Sequence, residues 1–140
     1  MHSIRDILRE KGTKVQSIDP DTSVFDALRL MAEHGIGALL VMENGKPVGL
    51  FSERDYARKL ALQGLRSRDT PVRAIMSNPV LTISPDASVQ QGLSTMTEKF
   101  VRHLPVVDRG ALVGMIVSLL LALLGIRYKV DQIIAIIRIA

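Results

Sequence analysis

The chain contains no cysteine and no tryptophan, and only 4% of its 140 residues are aromatic. The absence of cysteine excludes a disulfide framework and every thiolate metal site. Three scattered histidines, His2, His34 and His103, make a zinc site improbable, and we expect no resident metal. The scarcity of aromatic side chains also leaves little material for a surface that stacks nucleic-acid bases.

The length and composition fit a small globular protein. A chain of 140 residues suits one compact unit or two half-domains that share a core. Hydrophobic residues make up 47% and charged residues 23%, which is typical of a globular rather than a disordered chain. The N-terminus lacks the apolar core of a signal peptide, so our default expectation is a cytoplasmic protein.

One stretch, residues 111–126, is nearly all apolar. A membrane-spanning helix needs roughly 20 such residues, and this run is shorter. We therefore expect no membrane span. The expectation for this stretch is a buried strand followed by a buried or interface helix.

Positive charge is concentrated in one segment. The formal net charge is +4, and much of the positive charge lies between residues 54 and 73. Such charge runs are usually solvated helix faces and linkers. The alternative is that the run attracts phosphates, either of a small ligand or of nucleic acid. The residues concerned are Arg54, Arg58, Lys59, Arg66, Arg68 and Arg73.

The sequence contains an internal repeat. Residues 15–24 return as residues 80–89, and residues 48–51 return as residues 113–116. Two copies are too few for a solenoid, but they suit a tandem module with pseudo-two-fold symmetry. Modules of this kind commonly hold ligands in a cleft between the copies.

Local signals predict the order β-α-β-β-α in each copy. Ser23 opens a helix with apolar residues at helical spacing, and Gly35 fits a left-handed C-cap. Asn44-Gly45 predicts a type I′ hairpin between two strands, after which Ser52 opens a second helix. We predict an α+β fold in which the two repeats pack through their sheets. The expected divisions are an N-terminal helix at 1–12, repeat 1 at 13–63, a linker and short helix at 64–75, repeat 2 at 76–124 and an apolar tail at 125–140.

These residues resemble a tandem pair of cystathionine-beta-synthase-type (CBS) domains, also called a Bateman module. The resemblance is carried by residues 17–24, 36–41 and 48–56 of the first copy and 101–108 of the second. It implies a regulatory, non-catalytic module that binds an adenosine-containing ligand such as AMP, ADP, ATP, NAD or S-adenosylmethionine. It also implies a homodimer in the form of a four-repeat disc, with an unknown regulated protein as partner.

Residues 52–55, Ser-Glu-Arg-Asp, fit the Ser/Thr-x-x-Asp ligand signature of that family. Unpaired amides at a helix start favour an anion, and a carboxylate one turn later can accept hydrogen bonds from both ribose hydroxyls. We therefore expect Ser52 and Asp55 to bind ribose and Arg54 to bind phosphate. From the four residues alone, a capping box is the more ordinary interpretation, and Ser52 can serve both roles.

The resemblance implies further contacts to the ligand. Arg102 and His103, before the central strand of the second copy, are expected to point at phosphates, the alternative being a solvated strand end. His103 would then make phosphate affinity depend on pH near ~6.5. An apolar adenine slot is expected from small side chains that are also ordinary packing residues. They are Thr82, Ala87, Gly92 and Val101 in the second copy, and Ser17, Thr22, Ala27 and Ile36 in the first.

The second copy lacks the acid of the ligand signature. The residues of the second copy that correspond to positions 52–55 are Val117, Ser118, Leu119 and Leu120. Leucine cannot accept a hydrogen bond from a ribose hydroxyl. We predict one competent nucleoside cleft around Asp55 and one degenerate cleft. The apolar tail from residue 119 needs cover, for which a dimer partner is the first expectation and a larger partner or a membrane surface the alternative.

Two other functions stay open. One is a structural dimerisation or interaction module with empty clefts. The other is a basic nucleic-acid-binding adaptor that uses residues 54–73, although the sparse aromatics and the lack of a known nucleic-acid fold argue against nucleic acid. The sequence offers no nucleophile–base constellation and no glycine-rich phosphate loop, so we expect no catalytic residues and no enzyme.

Overall fold

The computed structural model describes residues 3–11, 15–117 and 135–136 of the chain. In chain order, the elements are helix α1 (Ile4–Lys11), strand β1 (Ser17–Ile18), helix α2 (Val24–His34), strands β2 (Ala38–Glu43) and β3 (Lys46–Ser52), helix α3 (Glu53–Asp55), a π-helix (Tyr56–Ala61), a 3₁₀ helix (Val72–Ala74), helix α4 (Val89–Lys99), and strands β4 (His103–Asp108), β5 (Ala111–Val117) and β6 (Ala135–Ile136). Helices and two separate sheets confirm the predicted α+β class.

The chain forms two compact units. The first unit is Gln16–Val80, and the second consists of Met1–Val15 together with Leu81–Ala140. Each contains one repeat and one three-stranded sheet. The helix that opens the chain therefore belongs with the second repeat, whereas the 3₁₀ helix that precedes the second repeat belongs with the first.

The sheet of the first unit has β2 in its centre, parallel to β1 and antiparallel to β3. Strand β2 is buried over its first four residues because helix α2 and the 3₁₀ helix pack against this sheet. The buried core consists of Val24, Ala27, Met31, Leu39, Val41, Phe51, Leu60, Val72 and Ile75.

Local capping and turn chemistry fix the connections of the first unit as predicted. The Ser23 hydroxyl accepts a hydrogen bond from the Asp26 amide at 3.1 Å, and helix α2 ends at Gly35, which has φ 63°. Asn44 and Gly45 both have positive φ, 52° and 76°. A type I′ turn requires this pair of left-handed residues, so the predicted hairpin is confirmed.

The second unit repeats the antiparallel hairpin, but its central strand is the second strand of the hairpin, β5. Strand β5 pairs antiparallel with both β4 and β6. Ser88 caps helix α4 in a full capping box, because its amide donates to Gln91 Oε1 at 2.8 Å and its hydroxyl accepts from the Gln91 amide at 3.0 Å. The buried core consists of Ile4, Leu8, Met96, Leu104, Val106 and Ile116.

The apolar run and the tail are only partly described. Residues 111–117 form strand β5, which confirms the predicted buried strand. Within the tail, residues 135–136 form strand β6 beside β5. The helix expected after β5, and the rest of the tail, lie outside the described residues. Among the residues that the structure describes, no helix has the length and apolar character needed to cross a membrane.

Each unit contains an arginine clasp, in which one arginine forms ion pairs with two acidic residues. Arg73, at the 3₁₀ helix, forms ion pairs with Asp21 at 3.3 Å and Glu43 at 3.0 Å. Arg5, in helix α1, forms ion pairs with Asp86 at 2.9 Å and Asp108 at 3.3 Å. The backbone follows the same plan: the amides of Val72 and Ile4 donate to the carbonyls of Thr22 and Ala87 at 2.8 and 2.9 Å. The two segments are therefore equivalent, although one is α-helical and the other a single 3₁₀ turn.

Candidate functional site

The candidate site begins where strand β3 ends at Ser52 and helix α3 starts. The Ser52 backbone is extended, and its hydroxyl accepts a hydrogen bond from the Asp55 amide at 3.2 Å. In return, the Ser52 amide donates to Asp55 Oδ2 at 3.0 Å. Both halves of a capping box are present, so the capping role that the sequence left open for these residues is confirmed.

Asp55 is a buried charge with a full set of partners. Its residue surface is only 5% exposed. Oδ2 accepts hydrogen bonds from the amide and the hydroxyl of Ser52, at 3.0 and 3.1 Å. Oδ1 accepts one from the Ser77 hydroxyl at 2.9 Å and forms an ion pair with Lys59 Nζ at 3.0 Å. A buried carboxylate needs such partners, because an isolated one would be strongly destabilised.

Lys59 connects Asp55 to the segment after the 3₁₀ helix. It lies on the π-helix one turn after Asp55, and its Nζ also donates to the Ile75 carbonyl at 3.2 Å and to the Ser77 hydroxyl at 3.4 Å. Sequence reasoning placed Lys59 only in the basic run. The spacing of four residues between an acid and a lysine was an available signal for this pair.

Ser77 is held in place by its backbone. Its amide donates to the Leu50 carbonyl at 2.8 Å, and the Leu50 amide donates to the Ser77 carbonyl at 2.9 Å. The neighbouring Met76 lies so close to Gly49 that any side chain at position 49 would collide with it. Sequence reasoning missed Ser77, since no local pattern links it to Asp55.

The basic run is largely paired within the first unit. Arg66 pairs with Asp69 at 3.3 Å, and the Arg68 guanidinium lies 3.9 Å from the centre of the Phe25 ring. Lys59 and Arg73 have the ion pairs described above. Arg54 and Arg58 are exposed, and neither forms an ion pair with another described residue. Three of the six cations, Lys59, Arg66 and Arg73, are therefore paired with carboxylates.

The profile of one domain family matches both repeats. The matched residues are 4–62 and 72–118, and the family is described as "CBS domain". The chain belongs to the CBS-domain family. The two matched segments make it a CBS pair, as the resemblance implied.

Known proteins share this CBS pair. The chain is 33% identical over 123 residues to the CBS domain-containing protein CBSX3, mitochondrial, of Arabidopsis thaliana, and the match covers 81% of the chain and 60% of that relative. A putative signal-transduction protein with CBS domains from Burkholderia ambifaria MC40-6 is 41% identical, with a TM-score of 0.79 and coverage of 83% and 88%. A hexameric CBS-CP12 protein from bloom-forming cyanobacteria is 25% identical, with a TM-score of 0.73 and coverage of 83% and 64%.

The predicted phosphate residues of the second CBS domain lie at the start of β4. Arg102 is exposed and His103 is half-buried. Burial, and secondly the positive charge of Arg102, lower the pKa of His103 from 6.5 to about 4. In the ligand-free protein His103 is therefore neutral near pH 6.5, and the expected pH dependence of phosphate affinity stays a prediction. A neutral imidazole can donate or accept a hydrogen bond but adds no charge.

The residues predicted for the adenine slot differ in exposure. Ala27 is fully buried, and a side chain at Gly92 would press on Ile116, so both of these residues serve packing. Thr22, Ile36, Ala87 and Val101 are half-buried, whereas Ser17 and Thr82 are exposed. A role of any of the eight in adenine binding stays a prediction.

The degenerate site of the second CBS domain is described only at Val117. Val117 is buried in strand β5, and residues 118–121 lie outside the described residues. Within the part of the chain that the structure describes, no three acidic or histidine side chains come together in a group that could hold a metal ion.

Proposed function

We propose that this CBS pair is a regulatory, non-catalytic module that binds an adenosine-containing ligand through Asp55. The observation that carries the proposal is the buried carboxylate at the junction of β3 and α3. One of its oxygens, Oδ1, is bonded only to side chains, Ser77 and Lys59. Side-chain donors can be exchanged for the two hydroxyls of a ribose, which suit a carboxylate.

The general role of the family supports this assignment. CBS pairs are in general regulatory modules that bind ligands. The ligands proposed here are AMP, ADP, ATP, NAD and S-adenosylmethionine, all of which carry a ribose. Arg54 is exposed in the first turn after β3 and has no ion pair among the described residues, so it is available to a phosphate. Phosphate binding by Arg102 and His103 of the second CBS domain stays a prediction.

The regulated target and the assembly are part of the same proposal. We expect a homodimer and an unidentified regulated protein, because a sensor without a catalytic site acts through a partner. The hexameric CBS-CP12 neighbour is an example of an oligomer built from this fold. The chain spans about 60% of the length of the Arabidopsis relative.

A thermal-shift panel tests the proposal. Wild-type protein and Asp55→Ala are melted with and without AMP, ADP, ATP, NAD and S-adenosylmethionine. Ligand at 100 times its Kd stabilises a protein by about 2.7 kcal/mol, which is several degrees for a domain of this size. We expect such a shift with at least one ligand in the wild type and its loss in Asp55→Ala.

Asp26→Ala is the matched control for this panel. Asp26 occupies the same position after Ser23 in helix α2 that Asp55 occupies after Ser52, and its amide makes the same bond to the capping hydroxyl. This control should keep the ligand shift. If no ligand shifts the wild type, the protein is instead an interaction module with an empty site.

A further inference from the structure

We propose that Ser77 and Lys59 occupy the ribose-binding edge of Asp55 in the ligand-free protein and that the ligand must displace them. The inference rests on the proposed function, since it concerns the same carboxylate. Both residues lie outside the Ser-x-x-Asp signature, and both donate to the same oxygen, Oδ1, at 2.9 and 3.0 Å.

The hydrogen-bonding capacity of Asp55 is fully used in the ligand-free protein. An ionised carboxylate has about four lone-pair positions. Ser52 fills two of them through its amide and hydroxyl, and Ser77 and Lys59 fill the other two. Because Asp55 is only 5% exposed, no edge is left for a ribose unless a resident donor leaves.

The donors to Asp55 differ in how readily they can leave. The bonds from Ser52 belong to the capping box, so breaking them would also loosen the start of helix α3. The Ser77 hydroxyl can rotate away while its backbone stays bonded to Leu50 on both sides. Lys59 can leave Asp55 and keep its hydrogen bond to the Ile75 carbonyl. Exchange at Oδ1 therefore breaks fewer of the hydrogen bonds that stabilise the fold than exchange at Oδ2.

A donor that must be displaced lowers the affinity for the ligand. A site whose binding-competent state is only fractionally populated binds its ligand more weakly by that fraction. Removing the Ser77 hydroxyl should therefore raise ligand affinity, which is opposite to the loss expected when a binding residue is removed. The change in sign separates a resident competitor from a ligand-binding serine.

The test is a set of isothermal titrations with AMP, ATP and S-adenosylmethionine. The wild type, Ser77→Ala and Lys59→Met are compared with Ser94→Ala, an exposed serine of helix α4. Removing one hydrogen bond changes an equilibrium by a factor of about 2 to 12. We expect Ser77→Ala to bind roughly three- to tenfold more tightly and Ser94→Ala to match the wild type. Lys59→Met and the wild type are also titrated with adenosine, which has no phosphate that the Lys59 charge could attract. Lys59→Met should bind adenosine more tightly than the wild type does.

A ligand analogue shows whether the exchange takes place at the ribose. AMP that lacks both ribose hydroxyls, 2′,3′-dideoxy-AMP, has nothing to exchange at Asp55. Its affinity should be low and should not differ between the wild type and Ser77→Ala. An equal gain for AMP and the dideoxy analogue would overturn the proposal, because the gain would then come from elsewhere.

The remaining outcomes separate this inference from the proposed function. If Ser77→Ala binds AMP as the wild type does, or more weakly, while Asp55→Ala loses it, the displacement is wrong and the Asp55 site stands. If the wild type binds no ligand but Ser77→Ala does, the displacement at Asp55 is supported, whereas the proposed function of the wild type fails. If no ligand binds to the wild type, Ser77→Ala or Lys59→Met, the proposed function fails and the displacement with it.

Discussion

The two carboxylate oxygens of Asp55 have different roles: one stabilises the helix start, and the other is the proposed ribose-binding atom. Oδ2 completes the capping box with Ser52, and Oδ1 contacts Ser77 and Lys59. A capping acid in a solvated helix needs only the first of these roles. Burial of the carboxylate with a second, side-chain-lined edge is what distinguishes Asp55 from the corresponding Asp26 of helix α2, which is exposed.

At the scale of single residues, His103 predicts a pH dependence of stability. Its pKa is about 4 in the folded protein, against 6.5 for the unfolded chain. The unfolded chain therefore binds a proton more readily than the folded one, so protonation favours unfolding. The contribution of neutral His103 is complete above pH 6.5, is lost as the pH falls toward 4, and amounts to roughly 3 kcal/mol.

Urea unfolding between pH 4 and 7 measures this dependence. Each fitted unfolding free energy is compared between the wild type and His103→Gln, which cannot be protonated in this range. The wild type should lose stability relative to His103→Gln as the pH is lowered through this window. His34→Gln, at the exposed end of helix α2, serves as the control. Parallel curves for the wild type and His103→Gln would contradict the assigned pKa.

At the scale of elements, each unit is completed by a segment that precedes the other repeat in sequence. Helix α1 completes the second unit with its Arg5 clasp and with Leu8, which packs against Gly114 of strand β5. The 3₁₀ helix completes the first unit with its Arg73 clasp, and Met76 packs against Gly49 of strand β3. Gly49 in β3 and Gly114 in β5 are therefore positions where the side chain of another segment approaches the strand too closely for a larger residue.

Substitution of Gly114 tests this contact. A side chain at position 114 would collide with Leu8, so Gly114→Ala should destabilise the protein by about 1–3 kcal/mol, the usual effect of overpacking. Gly37→Ala is the matched control, because its new methyl group would meet Glu53 only at an ordinary contact distance of 3.6 Å. Chemical denaturation measures both. Equal stabilities of the two variants would show that α1 does not rest on Gly114.

Local elements could be predicted from the sequence because their signals are local. The cap at Ser23, the left-handed Gly35 and the Asn44-Gly45 turn each depend on a few neighbouring residues, and each is confirmed. The contact between Ser77 and Asp55 joins residues 22 positions apart, so no short pattern contains it. The burial that lowers the pKa of His103 to about 4 likewise comes from tertiary packing, so no short pattern predicts this value.

At the scale of the whole molecule, two CBS domains of similar sequence differ in their ligand signature. The first carries Ser52 and Asp55, whereas the corresponding positions of the second begin with Val117 and contain no acid. The internal sequence repeat made the family and the α+β fold predictable. The ligand was not predictable from the repeat, because ribose-containing ligands share the group that Asp55 would contact.

The most direct test of the account is the stoichiometry of ligand binding. Isothermal titration of the wild type and Asp55→Ala with the ligand that gives the largest thermal shift yields both Kd and the number of sites per chain. We predict one site per chain in the wild type and its loss in Asp55→Ala, with Asp26→Ala unchanged. Two equal sites per chain, or undiminished binding by Asp55→Ala, would contradict the assignment of the ribose site to Asp55.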